Sequence, residues 1–191
     1  MTMSLVKGQK VSLSKRTGGS LTRVRMGLGW DAMKKKGIFG SKKQTIDLDA
    51  SAVLFDAAGN VVDQVWFKQL RSDDGSVQHT GDNLTGDGEG DDESIKVDLK
   101  RVPAAVSSIV FTVNSFTGQD FSQIENAFCR LIDEVEGAEI ARYDLSGSGT
   151  HTAQVMAKLA REGDGWSMTA IGSPASGQTF RDLLPSMVAH L

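Results

Sequence analysis

The sequence predicts an all-β fold: an antiparallel β-sandwich with short helical elements and an amphipathic C-terminal helix. Three observations predict it. Period-two alternation of apolar and polar residues runs through the first two thirds of the chain. Gly-rich and Asp-rich turns separate the alternating runs, as in sandwiches. The last stretch switches to helical spacing.

From Thr22 to Trp30, Val24, Met26, Leu28 and Trp30 fall on one face and Arg23, Arg25, Gly27 and Gly29 on the other. From Ile46 to Phe55, Leu48, Ala50, Ala52 and Leu54 share a face, with Asp47, Asp49 and Ser51 opposite. Ala57-Ala58-Gly59-Asn60 reads as a hairpin turn into a strand from Val61 to Phe67. Further strands are expected at Ile95 to Leu99, Ser108 to Val113, Ala127 to Ile132 and Glu139 to Leu145. Thr152 to Glu162 is rich in helix formers, but Gly163-Asp164-Gly165 followed by Trp166 to Ile171 signals a hairpin, and the hairpin is the reading adopted. In the extension from about 173 to 191, Phe180, Leu183, Leu184, Met187, Val188 and Leu191 form an apolar helical stripe. Such a stripe packs on its own sandwich more often than on another protein.

A chain of 191 residues, 39% hydrophobic and 24% charged, suits one substantial core, so a single domain over residues 1–191 is expected. The first ten residues hold no apolar stretch of the kind a secretory signal requires, and no run approaches the ~20 residues that span a bilayer. Cys129 is alone and cannot form an internal disulfide, which suits a reducing compartment. The expected location is the cytoplasm. The net charge of −3 hides an asymmetry: eleven of 21 Lys and Arg residues lie within the first 43 positions, opposed there only by Asp31. Ser72 to Ser94 carries eight acids and no Lys or Arg.

Most of that acidity lies in Gly81-Asp82-Asn83-Leu84-Thr85-Gly86-Asp87-Gly88-Glu89-Gly90-Asp91-Asp92-Glu93. Six carboxylates within twelve residues repel one another unless a cation neutralises them. Calcium, with 6–8 oxygen ligands from carboxylates, amides and carbonyls, fits such a segment. An EF-hand is excluded: counted from Asp82, Glu93 falls at position 12, but Leu84 and Gly86 occupy positions three and five, and Asp87 replaces the glycine at six. Asp47 and Asp49, at i and i+2 of a strand, project from one face and either grip a cation or face solvent. Asp31, at a strand end, is a third carboxylate element or a turn residue.

Taken in order, Gly27-Leu28-Gly29-Trp30-Asp31, Ile46-Asp47-Leu48-Asp49-Ala50-Ser51, and Gly81 to Gly86 running into Gly90-Asp91-Asp92-Glu93 resemble the signatures of the TerD family of bacterial tellurite-resistance and stress proteins. Glu139 to Leu145 resembles it too, and the long insert between the first two signatures is similar to the TerZ type. The resemblance covers roughly residues 10 to 172. It implies a non-enzymatic β-sandwich with two calcium ions at one end, acting as sensor, scaffold or adaptor in tellurite resistance and stress. It also implies partners among other tellurite-resistance proteins, including a membrane-embedded one. Carried over residue by residue, the ligands would be Asp31, Asp47, Asp49, Asp82, Asn83, Asp91, Asp92 and Glu93, with Thr85, Gly86 and Gly88 as hydroxyl or carbonyl donors. Asp87 and Glu89 would only add negative potential.

Two rival functions remain in view, a metal-dependent phosphoester hydrolase and a structural module with static calcium sites. The first lacks a separate general base, a phosphate-binding Arg motif and a nucleophile motif beside the acids. His79 has no second His or Cys nearby in an oxygen-rich segment, which disfavours zinc or copper. Cys129 is expected in the core, and Trp30, Trp66 and Trp166 in the core or at the ends of the sandwich. Lys34 to Lys43, with Ile38-Phe39 at its centre, is either a flexible hairpin between two strands or a peripheral contact for an anionic membrane or an acidic partner. No nucleic-acid module is recognisable.

Overall fold

The computed structural model describes residues 3–4, 6–13, 20–32, 34–37, 40–43, 47–81, 90–144 and 149–191, the side chains of 3–4, 31–43, Gln123 and Glu125 excepted. Fourteen strands are described: β1 (Met3–Ser4), β2 (Lys10–Ser12), β3 (Arg23–Ala32), β4 (Lys34–Gly37), β5 (Gly40–Lys43), β6 (Leu48–Phe55), β7 (Val61–Val65), β8 (Val77–His79), β9 (Glu93–Asp98), β10 (Ser108–Ser115), β11 (Ile124–Asp133), β12 (Ala138–Asp144), β13 (Ala153–Glu162) and β14 (Gly165–Ala175). A 3₁₀ turn, Phe121–Gln123, precedes β11, and helix α1 spans Phe180–Val188.

Two six-stranded sheets make the sandwich, ordered β1-β12-β11-β3-β9-β8 and β2-β14-β13-β10-β6-β7. Every pairing within them is antiparallel except that of β1 with β12. The expected strands are all present, and Thr152 to Glu162 is indeed strand, turning through Gly163 (φ +55°) into β14. β-Pairing on both sides overrides local helix propensity there. The short strands β1, β2 and β8 carry too few residues for alternation to reveal them. The lysine-rich insert forms a two-stranded hairpin, with Lys34 opposite Lys43 and Lys35 opposite Lys42. Ile38 and Phe39 lie outside the described residues.

The alternation decides what fills the core. Val24, Met26, Leu28 and Trp30 of β3 meet Leu48, Ala50, Ala52 and Leu54 of β6 between the sheets, together with Ile95, Val97, Phe111, Cys129 and Leu131. The other face of β6 is not solvent: Val53 and Phe55, with Val110 and Val155, form a second cluster under Phe180, Leu183 and Met187 of α1. Every residue of β6 and β10 is therefore buried. Burying each large apolar side chain of α1 is worth about 1.5–3 kcal/mol, enough to hold a nine-residue helix that would not persist alone. Asp182 fixes its start by accepting hydrogen bonds from the amides of Thr179 and Gln178, both at 3.0 Å.

Candidate metal centre

The expected site residues that are described gather where β6 and β9 begin. Asp47, Asp49 and Glu93 are 8%, 3% and 1% exposed, a burial that carboxylates rarely tolerate without compensation. Glu93 points from the first sheet toward the second and accepts the amide of Ala50 at 2.8 Å. The register of β7 on β6 ends at Ala52, so this carboxylate caps the strand edge beyond it. His79 packs beside it, Nε2 3.4 Å from Glu93 Oε2, while Nδ1 accepts the amide of Gly81 at 3.1 Å. The Nε2 edge of the ring faces Glu93 without a hydrogen bond among the described residues.

Asp49 shares the face of β6 that looks toward α1 rather than solvent. Its cross-strand partner Asn114 donates from Nδ2 to Asp49 Oδ2 at 3.1 Å and to the Gln178 carbonyl at 2.6 Å. Asn114 is 1% exposed, and its Oδ1 has no hydrogen-bond partner among the described residues. Next to it on the same face, Thr112 Oγ1 is also buried and without a hydrogen-bond partner among the described residues. Orphaned buried oxygens beside buried carboxylates are a donor set for a hard cation. The sequence reading missed Asn114; its signal was an amide closing the apolar run Ile109 to Val113.

Three consecutive acids take three destinations. Asp91 lies on the outer face of the first sheet, clamped by Arg25 Nη1 at 2.9 Å and Arg130 Nε at 2.7 Å. Asp92 meets the end of β3: its amide donates to the Leu28 carbonyl at 2.7 Å, and its Oδ2 accepts the Trp30 amide at 2.9 Å. Glu93 turns inward. The clamp on Asp91 extends into a chain of charges, in which Arg25 also holds Glu134 and Arg130 also holds Glu139, with Lys96 on Glu134 as well. Partial burial opposes ionisation of Glu134, yet Lys96 and then Arg25 hold its carboxyl below the usual range. Asp91 raises the Arg130 guanidinium further above its already high value.

Asp31 lies in β3 opposite Glu125, beside a bulge in β11 where Asn126 takes φ +52°. Its side chain, and the whole of Asp82, Asn83, Thr85, Gly86 and Gly88, lie outside the described residues. Among the described residues, no three His, Cys, Asp or Glu side chains are close enough to hold an ion by themselves.

A family model, described as the TerD domain, matches residues 1–186. The chain belongs to the TerD family. This TerD-family chain is 48% identical over 190 residues to tellurium resistance protein TerZ of Serratia marcescens, covering 98% of this chain and 97% of that protein. It is 43% identical over 189 residues to general stress protein 16U of Bacillus subtilis, covering 95% of each. A crystal structure of a TerD homologue from Streptomyces coelicolor shares the fold, with a TM-score of 0.74 at 20% identity over 88% of this chain and 98% of that one. Among the described residues no helix is long and apolar enough to cross a membrane.

Proposed function

We propose that this TerD-family chain is a non-enzymatic calcium-binding protein of tellurite resistance and stress response, acting as sensor, scaffold or adaptor. The observation that carries this reading is the burial of Asp47, Asp49 and Glu93 at the end of the sandwich where the acidic run Asp82 to Asp92 joins β9, beside the orphaned Asn114 Oδ1. Ala50 N donates to Glu93 and Asn114 Nδ2 to Asp49, and buried carboxylates at the mouth of an acidic run are a setting in which a divalent cation would be taken up. Oxygen donors alone suit calcium. The described residues that would hold it are Asp47, Asp49, Asp92 and Glu93, joined by Asp31 and by ligands from 82–88; two ions are expected. Asp91, with both oxygens on arginines, would anchor the segment rather than bind the ion.

The relatives' names support the tellurium-resistance and general-stress part of this reading. The partners proposed are other tellurite-resistance proteins, one of them membrane-embedded, with the Lys34–Lys43 hairpin as a contact for anionic lipid. Thermal melts in EDTA and in millimolar calcium test the metal. Stabilisation of about 2.7 kcal/mol is expected at a hundredfold excess over Kd. Magnesium should compete poorly, since its strict octahedron suits this donor set less well. Superimposable melts with a flat calorimetric titration would end the proposal. A static module would bind calcium identically with and without its partners, whereas a sensor would not.

A further inference from the structure

The outer face of the first sheet carries a second charged site, at the far end of β9 from the acidic run and joined to its Asp91 clamp through Glu134 and Arg25. Of the described arginines, Arg25 and Arg130 hold Asp91, and Arg142 faces Asp144. Arg161 lies over Trp166 and Arg181 over Trp66. The remaining three, Arg23, Arg71 and Arg101, have neither a carboxylate within ion-pair distance nor an aromatic face among the described residues. All three line one groove of about 230 Å³, with Lys96.

The groove is framed by fixed backbone. The turn from Ser72 to Val77 is closed by the Ser72 amide on the Val77 carbonyl and the Gly75 amide on the Ser72 carbonyl. Arg71 lies across Gly75, where a Cβ would stand 2.9 Å from its Nε and Nη2, so the glycine leaves room for the guanidinium. Arg101 is held to the same turn by Nη2 donating to the Asp74 carbonyl at 3.2 Å. Of the two acids lining the groove, Glu134 is committed to Lys96 and Arg25, and Asp98 accepts the Lys100 amide. Four cations against two engaged carboxylates leave the groove positive in a chain of net charge −3.

We infer that this groove binds a doubly charged phosphate group, carried by a small soluble molecule or by a lipid headgroup. One guanidinium fork satisfies a carboxylate; three unpaired forks around one cleft call for an anion with several oxygens and more than one charge. The volume lies below the roughly 300 Å³ of drug-sized pockets, so it suits phosphate with a small substituent rather than an extended polyanion. The site does not rest on the calcium reading: Glu93 begins β9 and Asp98 ends it, which puts the two regions roughly 15 Å apart.

Calorimetry with inorganic phosphate in calcium-free zwitterionic buffer tests the groove without forming calcium phosphate. One saturable site per chain is expected. Arg71→Gln and Arg101→Gln should each weaken it by about tenfold or more, as loss of a charge-assisted hydrogen bond does. Arg71→Lys, which keeps the charge but not the fork, should fall between. Arg142→Gln, on the exposed ion pair with Asp144, should bind as the parent does. Vesicles of phosphatidylcholine with and without phosphatidic acid separate the two sources. Arg71-dependent sedimentation with the acidic lipid assigns a headgroup; phosphate binding without sedimentation assigns a soluble ligand. Absence of saturable phosphate binding, response to heparin alone, or an equal loss in Arg142→Gln would overturn the proposal.

Discussion

The carboxylate of Asp91 occupies the space that a side chain at Gly27 would fill: a Cβ there would stand 2.2 Å from Asp91 Oδ2 and 2.3 Å from its Cγ. Two residues on, a Cβ at Gly29 would meet the Gly90 carbonyl at 2.6 Å and the Phe128 ring at 2.5 Å. The outward glycines of β3 are thus the floor over which the end of the acidic run crosses, and Arg25 and Arg130 hold it there.

Gly27→Ala should therefore lift Asp91 off its arginines. Overpacking at a site this tight costs about 1–3 kcal/mol, and calcium affinity should fall with it as the run loses its anchor. Gly165→Ala, whose nearest contact would be an ordinary 3.4 Å to Ser20 Oγ, is the control. Melting curves and calcium titrations of both check this; equal behaviour would show that the crossing does not position the ligands.

Glu93 accepts from one sheet while rooted in the other. Glu93→Leu leaves the Ala50 amide buried without its acceptor and should cost about 1–3 kcal/mol in calcium-free urea unfolding. Glu93→Gln, which keeps one acceptor oxygen, should cost less.

Asp49→Ala and Asp92→Ala should each weaken calcium binding, and the double variant should show coupling of about 0.5–3 kcal/mol if both serve one end of the fold. Calorimetry of the four proteins measures it. Full additivity, or normal affinity in Asp49→Ala, would separate the strand carboxylate from the acidic run.

Burial, and then the charge of Asp91, push the Cys129 thiol up to about 12. Native protein at pH 8 should react negligibly with a thiol reagent, and readily once unfolded in guanidinium. Fast native labelling would contradict a sealed core.

The amides of Thr179 and Gln178 lower the pKa of Asp182 below its unfolded value. The carboxylate therefore contributes stability above the ordinary carboxylate range, and that contribution disappears as pH falls through the lowered folded value. The gap in melting temperature between the parent and Asp182→Asn should be open at neutral pH and close in acid. A gap unchanged by pH would mean that the ionised cap is not what stabilises α1.

Strand alternation in the sequence was enough to set the inward rows of β3 and β6, turn residues the hairpin after Gly163, and helical spacing the buried Phe180, Leu183 and Met187 of α1, because each depends on residues that are neighbours along one element; Val188 and Leu191, counted in the same stripe, are exposed. The same local logic placed Cys129 in the core, the three tryptophans, expected there or at the sandwich ends, are all buried, and three ordered motifs were enough to indicate the family. What those motifs could not decide was where a side chain goes once a partner arrives from elsewhere in the chain. Asp49 sits on the outer face of its sheet, which pattern alone leaves open to water; α1 and Gln178, more than a hundred residues away, cover it. Asp91, Asp92 and Glu93 read as one acidic cluster, yet arginines of β3 and β11, the backbone of β3 and an amide of β6 draw them in three directions. Arg23, Arg71 and Arg101 are scattered in sequence and adjacent only through the register of β3, β9 and β8 and the turn beside them. Alternation fixes which face a residue takes; pairing and layering across distant segments fix what it meets there, and only the tertiary structure carries that information.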